Sequence, residues 1–259
     1  MSELRETTVQ VNGEPCRVWA KGSGEPLFYL AGLGGLRHWS PFLDALAEQR
    51  RVVAPSLPGL PGSAGHDRLD DLLDWISATL DLLEAAGLEG ADLVGASLGG
   101  ALACEIAALS PALLKRLVLI APFGLWSESE PVTDCWAQRP GTLPSLLVRD
   151  AERLAASLAV PEGADEIEWQ VQLARAAEAG ARLLWPTTDT GVRKRLHRIR
   201  VPTLLLWGSA DQVIPASYAK RFAEGIAGPV QLQSIAGAGH LADFDEPEAC
   251  ARAVLEFLS

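Results

Sequence analysis

The chain alternates short, continuous apolar runs with stretches of helical periodicity. Pro26-Leu27-Phe28-Tyr29-Leu30, Arg51-Val52-Val53-Ala54-Pro55, Asp92-Leu93-Val94, Leu117-Val118-Leu119-Ile120 and Thr203 to Trp207 each predict a strand buried on both faces. Between the second and third runs, Leu69, Leu72, Leu73, Ile76, Leu80 and Leu83 recur at three- and four-residue steps. That spacing predicts an amphipathic helix from Arg68 to Ala86. Further helices are predicted from about Pro41 to Glu48, Leu98 to Leu109, Tyr218 to Ile226 and Pro247 to Leu258, with one more strand from Val230 to Ile235. At the start, residues 7–11 and 15–20 flank Asn12-Gly13, a dipeptide suited to a tight turn, so an antiparallel hairpin opens the chain. The remaining strand–helix alternation predicts an α/β fold, a mostly parallel sheet with helices on both faces.

The rhythm breaks at Pro122 and resumes at Val201-Pro202. From about Phe123 to Arg200 there is no buried-strand pattern. Helical stretches run from Leu143 to Leu158 and from Asp165 to about Leu184, among Trp126, Trp136, Trp169 and Trp185. The expected organisation is a core of residues 1–122 and 201–259 with an inserted helical cap, residues 123–200.

Composition narrows the partners. With 259 residues, 48% of them hydrophobic, the chain can bury the core of one large α/β domain with an insertion. A net charge of −11, from 22 basic and 33 acidic side chains, disfavours nucleic acid and anionic membrane as partners. No apolar run reaches the roughly 20 residues that span a bilayer. Met1 to Glu6 lacks the basic flank and apolar stretch of a signal peptide, so a cytoplasmic location is expected. The run Arg193-Lys194-Arg195, with Arg198 and Arg200, reads as a solvated helix face. Cys16, Cys104, Cys135 and Cys250 have no metal-ligand spacing, and Cys104 and Cys250 fall in apolar helical patterns, as buried thiols do.

The chemistry concentrates at Leu93-Val94-Gly95-Ala96-Ser97-Leu98-Gly99-Gly100. A strand that runs straight into a small-residue helix puts Ser97 on a sharp corner, above the sheet edge and beside the first N–H groups of the helix. A serine hydroxyl needs a base, and the base needs an orienting acid. Of the four histidines, His240, in Ala236-Gly237-Ala238-Gly239-His240, follows the last predicted strand and is the candidate. His38 is a candidate pocket residue; His66 and His197 are expected at the surface. Asp211, just after the strand ending at Trp207, is the candidate acid, with Glu128 as the alternative. In an open parallel sheet these strand ends converge on one crevice.

With these motifs the chain resembles the α/β-hydrolase fold superfamily. Ser97, Asp211 and His240 stand in that family's chain order, Gly95 to Gly99 match its nucleophile elbow, Gly208 to Pro215 its acid-bearing segment, and Gly237 to His240 its terminal motif. The resemblance implies an eight-stranded sheet and a serine hydrolase that needs no cofactor and no metal. It also implies Ser97 as nucleophile, His240 as base and then acid, Asp211 as its orienter, and the N–H groups of Leu33 and Leu98 as an oxyanion hole. Serine at the elbow argues against the branches that use aspartate there. Phe123-Gly124-Leu125-Trp126 and the tryptophan-rich insertion are similar to hydrolases that cleave C–C bonds in vinylogous diketones from aromatic ring fission. Those commonly carry asparagine before the nucleophile and tryptophan after the histidine; Ala96 and Leu241 here favour an ester, thioester or lactone. Two further departures are Ala31-Gly32, where the family often has His-Gly, and Ser56, where it often has an acid.

A small, mainly apolar substrate is therefore expected, in a pocket drawing on Trp39, Phe123, Trp126, Trp169 and Trp185. Arg139, Arg149, Arg153, Arg175 and Arg182 are candidates to hold a substrate carboxylate, and nothing in their spacing selects one. A non-hydrolytic enzyme on the same triad, a ligand-binding protein and a homodimer all stay open at this point.

Overall fold

The computed structural model describes residues 3–139 and 141–259. Asn12 (φ 51°) and Gly13 (φ 79°) take the left-handed conformations of a two-residue turn, so β1 (Arg5–Val11) and β2 (Glu14–Lys21) form an antiparallel hairpin. β3 (Pro26–Leu30) is followed by a glycine-rich loop and α1 (Pro41–Ala47). The Ser40 side chain caps α1 by accepting the Leu43 N–H at 3.3 Å. After β4 (Arg51–Pro55) the chain reaches α2 (Leu72–Ala85). This helix begins later than its leucine periodicity predicts. The Asp71 side chain accepts the Leu73 and Asp74 N–H groups at 2.8 and 3.1 Å and sets the start there, leaving His66–Arg68 as a separate 3-10 turn.

The central units are β5 (Ala91–Ala96), α3 (Ser97–Leu109) and β6 (Leu114–Ile120). Then come α4 (Leu143–Leu147), α5 (Ala151–Ser157) and α6 (Glu166–Leu184), and between β6 and the next strand there is no strand among the described residues. The single helix predicted from Leu143 to Leu158 is split. Asp150 caps a new start by accepting the Arg153 N–H at 2.9 Å, and the Arg149 N–H turns away to the Asp245 carboxylate at 3.0 Å. The chain ends with β7 (Thr203–Gly208), α7 (Ser217–Gly225), β8 (Val230–Ile235), α8 (Ala242–Asp245) and α9 (Pro247–Phe257).

The eight strands form one sheet in the order β1-β2-β4-β3-β5-β6-β7-β8. β1, β2 and β4 pair antiparallel and every later neighbour is parallel. One face of the sheet is covered by α1 and α9 around Phe42, Leu46 and Val254. The other is covered by α2, α3 and α7 around Trp75, Leu102 and Phe222. Because β3, β5, β6, β7 and β8 run in parallel, the loops at their carboxyl ends share one edge. Among the described residues, no helix is long and apolar enough to cross a membrane.

Candidate active site

β5 passes directly into α3 at Ser97, which has φ of 51°, a left-handed conformation that costs a non-glycine residue on the order of 1–3 kcal/mol. Its neighbours must be glycine for reasons of space. A Cβ on Gly95 would lie 2.6 Å from the Ala103 Cβ, and one on Gly99 would lie 2.3 Å from the Leu30 carbonyl oxygen. The turn therefore packs flush against α3 and β3 and lifts the serine side chain over the sheet edge.

There the Ser97 Oγ is 2.8 Å from His240 Nε2, and His240 Nδ1 is 3.0 Å from Asp211 Oδ2. The other Asp211 oxygen accepts the N–H groups of Val213 and Ile214 at 2.8 and 2.9 Å, which fixes the carboxylate from behind. Glu128 is exposed. The loop carrying His240 is tied on three sides: Ala210 N–H to the Ala238 carbonyl at 2.9 Å, Gly239 N–H to Asp245 Oδ2 at 2.7 Å, and Leu241 N–H to the Leu147 carbonyl at 2.9 Å. Phe123 packs edge-on against the imidazole, with ring centroids 5.5 Å apart. Ser97 and His240 are each 1% exposed. In this arrangement the hydroxyl can pass its proton to an imidazole whose far nitrogen is held by a carboxylate.

Two N–H groups border the serine. Leu98 is in the first turn of α3, where helix geometry leaves N–H groups unpaired. Leu33 lies in the loop after β3, and its N–H has no backbone acceptor among the described residues. That loop meets the elbow closely, since a Cβ on Gly32 would lie 3.0 Å from the Ser97 Cβ. α6 closes over both, because Gly180 packs against Trp136, Leu33 and Leu98.

Beyond Leu33 a cavity of about 630 Å³ opens between the core and the 123–200 segment. Its wall is mostly apolar, with Trp136, Leu143, Leu154, Leu173 and Phe244. Polar groups enter from the core side: Arg37 and His38 from the loop after β3, and Tyr29 with Asp243. The Tyr29 hydroxyl donates to Asp243 Oδ2 at 2.6 Å. Burial holds the Asp243 carboxyl above the usual aspartate range and the Tyr29 hydroxyl well above its own.

None of the five aromatic residues proposed for the pocket is on the cavity wall; Phe123 instead touches His240. Trp39 donates Nε1–H to Asp44 at 2.8 Å along α1. Trp126 packs on the core. Trp169 donates to the Leu158 carbonyl at 2.9 Å within the 123–200 segment, and Trp185 is 59% exposed beyond the end of α6. Trp136 is the tryptophan on the wall. His38 is also there, as its position after β3 suggested. His66, expected at the surface, is buried beneath α6, with Nε2 3.5 Å from Glu178. Arg195, read as part of a solvated face, makes two 2.6 Å bonds to buried Glu105. Burial pushes the Cys135 thiol, also on the wall, up to about 12.

Residues 27–253 match the family model described as "Alpha/beta hydrolase family". The dihydrolipoyllysine-residue acetyltransferase component of the acetoin cleaving system of Pseudomonas putida is 30% identical over 96% of this chain and 68% of its own length. The 2-hydroxymuconate semialdehyde hydrolase of Pseudomonas sp. (strain CF600) is 28% identical, over 92% of this chain and 88% of its own. Among solved structures, the 2-hydroxy-6-oxo-6-phenylhexa-2,4-dienoate hydrolase of Rhodococcus sp. strain RHA1 shares the fold with a TM-score of 0.80 at 19% identity, covering 100% of this chain and 99% of that one.

Proposed function

The chain belongs to the alpha/beta hydrolase family, and on that premise we propose that it is a serine hydrolase that cleaves a small carboxylic ester or lactone through an acyl-enzyme. The observation that carries this reading is the unbroken relay from Ser97 through His240 to Asp211, with both intervening distances at hydrogen-bond length. The substrate enters the apolar cavity under residues 123–200, which act as the lid. Ser97 Oγ attacks the carbonyl carbon as its proton passes to His240 Nε2. The negative charge that forms on the carbonyl oxygen is taken by the N–H groups of Leu33 and Leu98; each such donor typically lowers the barrier by ~3 kcal/mol. His240 returns the proton to the departing alkoxide. It then takes one from the water that attacks the acyl-enzyme and passes it to Ser97 Oγ as the bond to the acyl carbon breaks, which releases the carboxylic acid and restores the free serine. Asp211 holds the imidazole in the tautomer this needs and stabilises its charge, and Phe123 fixes the ring's tilt.

The second reading, C–C bond hydrolysis of a vinylogous diketone, is favoured by the similarity to ring-fission hydrolases over nearly the whole length. Ala96 and Leu241, at positions where such enzymes commonly have asparagine and tryptophan, favour the ester. The test is a rate survey with 4-nitrophenyl esters of increasing acyl length, lactones and one ring-fission dienone, with Ser97→Ala as the blank. Ester or lactone turnover is expected to fall about 10⁶-fold in Ser97→Ala or His240→Ala and about 10⁴-fold in Asp211→Asn. Turnover of the dienone alone moves the assignment to the C–C reading. Equal rates in Ser97→Ala and the parent protein would sink both. Faster release to an added alcohol or thiol than to water points to acyl transfer, the activity named for the Pseudomonas putida relative.

A further inference from the structure

Arg37 is a charged group on the cavity wall that the proposed chemistry leaves unused. Its guanidinium folds back over the loop after β3, so that a Cβ on Gly34 would lie 3.5 Å from both terminal nitrogens, one residue from the Leu33 N–H. The side chain lines the cavity. It forms no hydrogen bond or ion pair among the described residues, and its Nε is fully buried without a partner. Burial depresses its pKa below the usual arginine value, but a guanidinium keeps its charge at any physiological pH.

The other arginine on the wall is committed. Arg153, on the same wall, donates to the Phe244 carbonyl, stacks on the Phe244 ring at 4.4 Å and lies 3.9 Å from Asp245. Arg149 pairs with Glu246 at 2.8 Å and Arg182 with Glu178 at 3.0 Å. The acid nearest in kind, Asp243, receives the Tyr29 hydroxyl and makes no ion pair with Arg37. Holding a half-buried cation without a counter-ion is unfavourable, and an anionic ligand that reaches it recovers that cost along with two parallel N–H···O bonds.

We propose that Arg37 is the specificity-determining residue of the cavity and binds a carboxylate carried by the substrate, so that the preferred substrates are half-esters or lactone acids rather than neutral esters. This rests on the hydrolase reading above and names its substrate class. A single planar carboxylate fits better than a phosphate. One fork of donors satisfies a carboxylate, whereas the Asp243 carboxyl on the same wall opposes a dianion. With the guanidinium beside Gly34, the carboxylate end of the substrate lies along the loop after β3 and the apolar remainder runs toward Trp136 and Leu173.

The experiment compares mono-4-nitrophenyl adipate with 4-nitrophenyl hexanoate, which share acyl length and leaving group. It uses the parent protein, Arg37→Met and Arg37→Lys, each checked for an unchanged melting temperature. In parallel, adipate binding to Ser97→Ala and to Ser97→Ala/Arg37→Met is measured by calorimetry, which needs no turnover. The parent is expected to prefer the adipate ester. That preference, the ratio of the two kcat/KM values, should fall about 10- to 100-fold in Arg37→Met, mainly through KM for the adipate ester, with part of it kept in Arg37→Lys. Adipate should bind Ser97→Ala at least tenfold more tightly than the double variant. An unchanged ratio in Arg37→Met, or a loss that falls equally on the two esters through kcat, overturns the proposal. Adipate binding that depends on Arg37 in a protein that hydrolyses neither ester would support the carboxylate site and count against the ester reading alone.

Discussion

At the scale of single residues, the fold spends stability where the proposed chemistry is. Ser97 sits in a left-handed conformation, Arg37 stands without a counter-ion among the described residues, and Asp243 carries a carboxyl that burial holds above its usual range. The last has a consequence for stability. A carboxyl with a raised folded-state pKa binds its proton more tightly in the folded chain, so it subtracts stability as pH climbs from the unfolded pKa, near 4, through the folded one. Asp243→Asn keeps an acceptor for the Tyr29 hydroxyl and removes that titration. Urea denaturation from pH 3.5 to 7 is expected to show the variant gaining on the parent as pH rises; a constant difference across the range would contradict the assignment. Ser97, His240 and Asp211 were legible as candidates because each stands at a strand end in a short motif with glycine or proline punctuation. Arg37 was not legible. A lone arginine in a glycine-rich loop looks like any surface charge until its lack of a partner is seen.

At the scale of elements, the strands and most helices follow from apolar periodicity, and the differences come from capping. Asp71 and Asp150 each stop the pattern from being read through, one delaying α2 and the other dividing the predicted 143–158 helix. Close packing decides the rest. The β5–α3 corner fits only because Gly95 and Gly99 leave room for neighbouring backbone. Gly99→Ala would drive a Cβ toward the Leu30 and Ala31 carbonyl oxygens, at 2.3 and 2.5 Å. The expected loss is about 3 kcal/mol of unfolding free energy, with α3 displaced and Ser97 drawn away from His240. Circular dichroism melting and the ester assay check it together, and a variant with the parent's stability would show that the corner has slack.

At the scale of the whole molecule, the 123–200 segment and the core are joined by more than apolar contact. Glu105, 1% exposed in the middle of α3, receives two bonds from Arg195 near the segment's end, and the Arg195 pKa is raised chiefly by that bond. Arg195→Met leaves a buried carboxylate without its partner and is expected to cost about 3–5 kcal/mol. Denaturation at neutral pH measures it, and a loss near zero would mean that water replaces the guanidinium. The amino-acid sequence by itself determined the order of strands and helices, the mostly parallel sheet, the strand-free stretch between β6 and β7 and three candidate catalytic side chains. Those features are written in local periodicity and in the short motifs that turn the chain at strand ends. Only the tertiary structure decided which tryptophan faces the cavity, that His66 is buried, that Arg195 pairs with buried Glu105, and that Arg37 lines the cavity with no partner among the described residues. A side chain's environment is set by residues distant along the chain, and a local pattern carries no record of what will pack against it.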